Sequence, residues 1–144
     1  PLFGQLLLFS DMIGINRKSG KKVFTQIVEG ARDRLGKGRS VWIFPEGTRR
    51  NPGDPPQYKY GVYALYHALN RPIIPVALNS GYFWGRRSFI KTPGKIILEV
   101  LPPILPGLDA RSFLNTLEQA IETASKQLTP HSDIKSDCKE GSKN

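Results

Sequence analysis

Four β-branched and aromatic residues, Val41-Trp42-Ile43-Phe44, stop at Pro45 and hand over at once to Glu46-Gly47-Thr48-Arg49-Arg50. No other segment of the chain constrains its fold as much. The run is apolar throughout rather than alternating, which predicts a buried strand of a parallel sheet. Pro45 cannot extend a ladder, and Gly47 admits a tight turn. Loops set on the ends of such strands are where α/β proteins carry their chemistry. An arginine there suits a phosphate, because the guanidinium fork donates two parallel hydrogen bonds. Backbone N–H groups of Gly47 and Thr48 would add donors to the same anion. Residue types alone leave a second reading open: an ordinary strand-to-loop turn with both arginines solvated.

The rest of the pattern agrees with an α/β chain. Residues 2–10 read as the end of an apolar helix, and Met12 to Asn16 as a short strand. Ser19 is a candidate N-cap for a helix running to about Leu35, with Val23, Ile27, Val28, Ala31 and Leu35 at three-to-four spacing. Gly36-Lys37-Gly38 ends it. After Val41–Phe44, residues 50–60 form a Pro-, Gly- and Asp-rich loop, and Gly61 to Leu69 a helix closed by Asn70-Arg71-Pro72. Ile73 to Leu78 and Lys95 to Leu101 are two further strands, the second stopped by Pro102-Pro103. Between them, residues 80–94 read as irregular and basic, with Tyr82, Phe83, Trp84 and Phe89 among Arg86, Arg87 and Lys91. Asp109 caps a last helix with Phe113, Leu117, Ile121, Ala124 and Leu128 on one face. Residues 1–128 thus read as one structured unit and 129–144 as a disordered polar tail.

Charge narrows the partners. The chain of 144 residues has a formal net charge of +9, which favours phospholipid surfaces, nucleic acids or phosphorylated substrates. No nucleic-acid-binding motif accompanies the charge. A single cysteine, Cys138, excludes an internal disulfide and supplies no metal cluster. The longest apolar stretch, Pro1 to Phe9, falls short of the roughly 20 residues of a spanning helix.

Phe44-Pro45-Glu46-Gly47-Thr48-Arg49 resembles the signature block of the glycerolipid acyltransferases, and in particular of the 1-acyl-sn-glycerol-3-phosphate acyltransferases. Gly61-Val62-Tyr63-Ala64-Leu65 followed by Pro72-Ile73-Ile74-Pro75-Val76-Ala77-Leu78 resembles that family's glycine-led helix and proline-valine strand. Upstream, Ile13-Gly14-Ile15-Asn16-Arg17 is similar to its strand ending in an acidic or amide residue and arginine. The three blocks stand in the family's order and cover most of residues 10–80. Two positions depart from it: Asn16 stands where aspartate is common, and Asp11 where glycine is common.

The resemblance implies a layered, mixed or parallel central sheet with flanking helices. It also implies a reaction that needs no cofactor. A fatty acyl group would pass from acyl-CoA or acyl carrier protein to the sn-2 hydroxyl of lysophosphatidic acid. Arg17 and Arg49 would hold the acceptor phosphate, with Gly47 and Thr48 adding N–H groups. Glu46 would fix an arginine or a glycerol hydroxyl, and Gly61 would allow a helix start or a close backbone approach. The family's general base lies in a His-x-x-x-x-Asp block ahead of these three. Here Pro72 stands five residues after His67 and Ser136 five after His131, so neither histidine can be that block. The simplest account is a C-terminal part of a longer protein, incomplete at its N-terminus and without catalytic residues of its own. The parent is expected at the cytoplasmic face of a membrane, against anionic lipid. Two alternatives stand beside it. One is the same family with glycerol-3-phosphate or another lysolipid as acceptor; the other is a non-catalytic basic module for anionic lipid. His67 reads as a surface or packing residue and Arg50 as either a solvated flank or a substrate ligand. Phe83 reads as core, with Trp84 open between core and bilayer interface.

Overall fold

In a computed structural model, residues 12–13, 22–86 and 88–129 are described. They form helix α1 (Lys22–Gly36), helix α2 (Tyr60–Leu69), strand β1 (Val76–Leu78), the single turn α3 (Ser80–Phe83), strand β2 (Leu98–Val100) and helix α4 (Ala110–Gln127). The expected helix at 2–10, most of the strand at 12–16, the Ser19 cap and the tail beyond Thr129 lie outside the described residues.

Helix α2 sits between two apolar clusters. Val62 and Tyr66 on one side join Ile104, Phe113 and Leu117, so α2 packs on α4. Leu65 on the other side joins Val28 and Ala31, so α2 also packs on α1. Arg32 of α1 donates from Nη2 to the Ala68 carbonyl (2.9 Å), serving one of the four carbonyls that the end of α2 leaves without a helical donor. Asn70, at φ 49° and ψ 48°, closes the helix in the left-handed conformation, with its N–H on the Tyr66 carbonyl.

Tyr66 fastens this arrangement. Its ring stacks on Phe113 with centroids 4.1 Å apart and planes at 15°. Its hydroxyl donates to the Leu105 carbonyl (2.6 Å) and accepts from the Leu108 N–H (3.1 Å). The fully buried phenol therefore pins the loop that leads into α4. Asp109 then caps α4, its Oδ1 accepting from the N–H groups of Arg111 and Ser112 at 3.0 and 3.1 Å. Hydrogen bonds from Ser112, above all its side chain, hold the Asp109 carboxyl below its ordinary value of 3.8. Phe113, Leu117 and Ala124 are buried along α4, the face its periodicity predicts.

The described sheet is smaller than the sequence suggests. β1 and β2 pair antiparallel, Val76 with Val100, Ala77 with Glu99 and Leu78 with Leu98. Both strands are shorter than predicted: Pro75, with no N–H to give, stands directly before β1, and residues 95–97 stay outside β2. Ile73 and Ile104 exchange both backbone bonds, at 3.0 and 2.8 Å. Asn79, buried at the end of β1, completes the edge. Its Oδ1 accepts from the Ile97 N–H (2.8 Å), and its Nδ2 donates to the carbonyls of Lys95 (3.3 Å) and Leu128 (3.1 Å). One amide thus ties the sheet to the end of α4. Phe83 is buried as expected, and Gly94 makes room for it, since a Cβ there would run into the Phe83 ring.

Val41–Phe44 departs most from its sequence reading. It joins no ladder among the described residues. Only Val41 reaches a core cluster, while Trp42 is 69% and Phe44 75% exposed. A strand is buried by its neighbours, not by its own composition, and no neighbour pairs with this one among the described residues.

Tyr66→Phe keeps the stacked ring but leaves the Leu108 N–H and the Leu105 carbonyl without their partner. In the full-length protein it is expected to lower stability by about 1–3 kcal/mol in urea unfolding. An unchanged midpoint would show that the loop into α4 is held by other contacts.

Candidate functional site

The turn at Pro45–Arg49 is built by its own backbone and braced by the loop that follows. The Gly47 N–H donates to the Phe44 carbonyl (3.0 Å), and Gly47 itself stands at φ +67°. The Lys59 N–H donates to the Pro45 carbonyl (2.9 Å), anchoring the turn directly before the start of α2. Glu46 points back into this brace. Its Oε1 accepts from the Gln57 N–H (3.3 Å) and lies 3.7 Å from Nε of Arg50. Both side chains are about three-quarters buried, and the Arg50 Nε makes no closer hydrogen bond. One residue before Lys59, Tyr58 donates to Glu122 of α4 (3.2 Å), tying the same loop to that helix. Burial, and then the Glu122 carboxylate, push the Tyr58 phenol far above its ordinary value, so it stays a donor at any working pH.

These contacts revise the expected roles. The arginine beside Glu46 is Arg50, a residue with two open readings in the sequence, at 3.7 Å and without a hydrogen bond from its Nε. The Gly47 N–H donates to the Phe44 carbonyl within the turn, and the Thr48 N–H makes no hydrogen bond among the described residues. Arg49 is exposed, with its guanidinium 5.5 Å from the centre of the Trp84 ring. Arg17 lies outside the described residues. Gly61 is the second residue of α2, and a Cβ there would meet nothing within 4 Å, so no described group approaches it closely.

An apolar groove of ≈ 160 Å³ runs beside the turn. Gly47 and Gly61 stand in its wall with Phe24 and Ile27 of α1, Phe44, and Leu65 of α2. The structure therefore sets Gly47 and Gly61 on one groove, while Glu46 precedes and Thr48 and Arg49 follow Gly47 in the turn without lining it. A larger cleft of ≈ 500 Å³ lies around Tyr63, His67, Asn70 and Asp109 and contains none of Glu46 to Arg50. His67 is exposed there with its ring 5.8 Å from that of Tyr63, a surface packing role. The turn and the smaller groove carry the site residues, so the larger volume does not decide the matter.

Sequence reasoning missed two participants. The Glu46–Arg50 pair was signalled only by opposite charges four residues apart. The apolar wall from Phe24 was not signalled, since Phe24 falls off the predicted stripe of α1. Among the described residues, no group of three or more His, Cys, Asp or Glu could hold a metal ion. No helix among them is long and apolar enough to cross a membrane.

The turn thus carries an exposed arginine and an N–H without a hydrogen bond among the described residues, and its Gly47 lines an apolar groove. Comparison with known proteins identifies the lineage: the profile of the family described as Acyltransferase matches residues 1–79, and this chain belongs to that family. A 1-acyl-sn-glycerol-3-phosphate acyltransferase of Pseudomonas aeruginosa is 34% identical over 102 residues, 71% of this chain and 40% of that protein. The human 1-acyl-sn-glycerol-3-phosphate acyltransferase beta is 27% identical over 125 residues, 83% of this chain and 45% of that protein. One from Cocos nucifera is 32% identical over 105 residues, 72% of this chain and 34% of that protein. The chain thus spans less than half the length of these relatives. No solved structure matches it.

Gly47→Ala places a Cβ in the left-handed region, and about 1–2 kcal/mol of destabilisation is expected in the full-length protein. Thermal unfolding measures it, and an undiminished Tm would mean that the turn tolerates another backbone geometry.

Proposed function

We propose that the chain is the substrate-holding part of a 1-acyl-sn-glycerol-3-phosphate acyltransferase. The full-length enzyme would transfer a fatty acyl group from acyl-CoA or acyl carrier protein to the sn-2 hydroxyl of lysophosphatidic acid, giving phosphatidic acid for phospholipid synthesis. Family membership, the names of the relatives and the net charge of +9 support this reading. The single observation that carries it is the exposed Arg49 in the same turn as Gly47, which lines an apolar groove, with a Thr48 N–H that makes no hydrogen bond among the described residues.

In this reading Arg49 grips the acceptor phosphate as a bidentate donor, together with Arg17 and the Thr48 N–H. Glu46 keeps the turn in shape through Gln57 and Arg50 rather than touching the anion. Gly47 supplies the backbone conformation, and Gly61 leaves the groove wall open to an acyl chain. A His-x-x-x-x-Asp block in the longer protein supplies the general base, its aspartate orienting the imidazole. The imidazole takes the sn-2 hydroxyl proton as that oxygen attacks the thioester carbonyl. The new C–O bond forms, the C–S bond breaks, and the proton passes to the departing thiolate. Holding the phosphate sets the hydroxyl at attack distance, the main contribution of the residues in this chain. Residues 1–128 would form the C-terminal part of the domain, with Val41–Phe44 completing a layered sheet. The enzyme would work at the cytoplasmic face of a membrane.

The test is steady-state kinetics of the full-length enzyme with lysophosphatidic acid and with glycerol-3-phosphate. Arg49→Ala is expected to cut kcat/KM for the lysolipid about 10–100-fold, the worth of a charge-assisted pair. Arg49→Lys should recover part of it, because an ammonium lacks the fork. An unchanged acceptor dependence would remove Arg49 from the phosphate site. A preference for glycerol-3-phosphate in the parent enzyme would replace the acceptor while keeping the family.

A further inference from the structure

The loop from Trp84 to Thr92 carries the two most exposed large hydrophobic side chains of the described residues. Phe89 is 102% and Ile90 80% exposed. They are not adrift in a loose loop. The Thr92 N–H donates to the Phe83 carbonyl (2.8 Å) and closes the base. The Ser88 N–H donates to the Gly85 carbonyl (3.3 Å), and Trp84 Nε1 donates to the Ser88 carbonyl (2.9 Å). Ser88 Oγ accepts from the Ile90 N–H (3.1 Å) and donates to the Ile90 carbonyl (3.2 Å). The polar groups of Ser88 and Ile90 are thus satisfied within the loop, which lowers the cost of taking this part of it out of water.

Two cations lie against the loop's tryptophan. Lys91 Nζ lies 4.6 Å and the Arg49 guanidinium 5.5 Å from the centre of the Trp84 ring. From Pro55 to Leu98 the sequence contains Lys59, Arg71, Arg86, Arg87, Lys91 and Lys95 and no aspartate or glutamate. An apolar tip, a tryptophan with its N–H satisfied, and two cations against its ring is the layering of a bilayer interface. Acyl chains, headgroup level and anionic phosphates would meet those parts in that order.

We propose that the Trp84–Thr92 loop docks the protein on anionic bilayers, with Phe89 and Ile90 entering the acyl boundary and Lys91 on lipid phosphates. Because Trp84 also faces Arg49, docking would set the Pro45–Arg49 turn beside the membrane from which an amphiphilic acceptor comes. The inference rests on the membrane reading above, but its test reads the loop and not turnover, so the two can fail separately.

The probe is an environment-sensitive dye at Phe89→Cys in the full-length protein, with other cysteines replaced. The protein is placed in vesicles of phosphatidylcholine with or without phosphatidylglycerol, some carrying nitroxide lipids. Emission should shift to the blue and be quenched by the nitroxides when phosphatidylglycerol is present. Lys91→Ala should raise the phosphatidylglycerol content needed for half-maximal quenching about fivefold. Water-like emission on both vesicles would overturn the proposal. So would a shielded dye that nitroxide lipids do not quench, because the loop would then pack against protein.

Discussion

Burial of α2 on two sides is the constraint to which the rest of the structure is referred. Val62 and Tyr66 commit one face to α4, and Leu65 commits the other to α1. The helix cannot rotate without exposing one cluster or the other. Its first turn is joined to the Pro45–Arg49 turn through the Lys59 N–H on the Pro45 carbonyl. The position of the exposed arginine is therefore inherited from the core, through one backbone bond and the Glu46 brace. The phosphate grip proposed for Arg49 would gain from such mounting, since a guanidinium on a mobile loop would lose entropy at each binding event.

Much of this was legible in the sequence wherever the cause is local. Asp109 announces the start of α4 because capping needs only the residue and the N–H groups that follow it. The spacing of Phe113, Leu117 and Ala124 gives the buried face of that helix. Gly36 to Gly38 marks the end of α1, and Asn70 the end of α2, for backbone reasons that act within one turn. Non-local causes were not legible. The composition of Val41–Phe44 speaks of a buried strand, yet burial depends on a paired neighbour that composition does not contain. The partner of Glu46 was equally open, because spacing does not say which of two adjacent arginines folds back. Nor does composition show that the Gly47 N–H donates to the Phe44 carbonyl within the turn.

Trp84 joins the two parts of the functional account. It stands 35 positions after Arg49, and no spacing rule connects them, yet the fold sets both Arg49 and Lys91 against its ring. The site residues and the aromatic-basic stretch thus belong to one surface. On one side lies an apolar groove between α1 and α2, on the other an apolar loop tip with cations at its base. A surface of this kind suits a substrate with an anionic head and an acyl tail better than a small, fully soluble phosphate.

The central claim is that this surface grips its acceptor by the phosphate. Its most direct measurement compares kcat/KM of the full-length enzyme for lysophosphatidic acid and for the monoacylglycerol of the same chain, which lacks only the phosphate. The account predicts a loss of about 10–100-fold without the phosphate, the worth of hydrogen bonds to a charged group. Equal values for the two acceptors would contradict it and transfer recognition to the acyl chain.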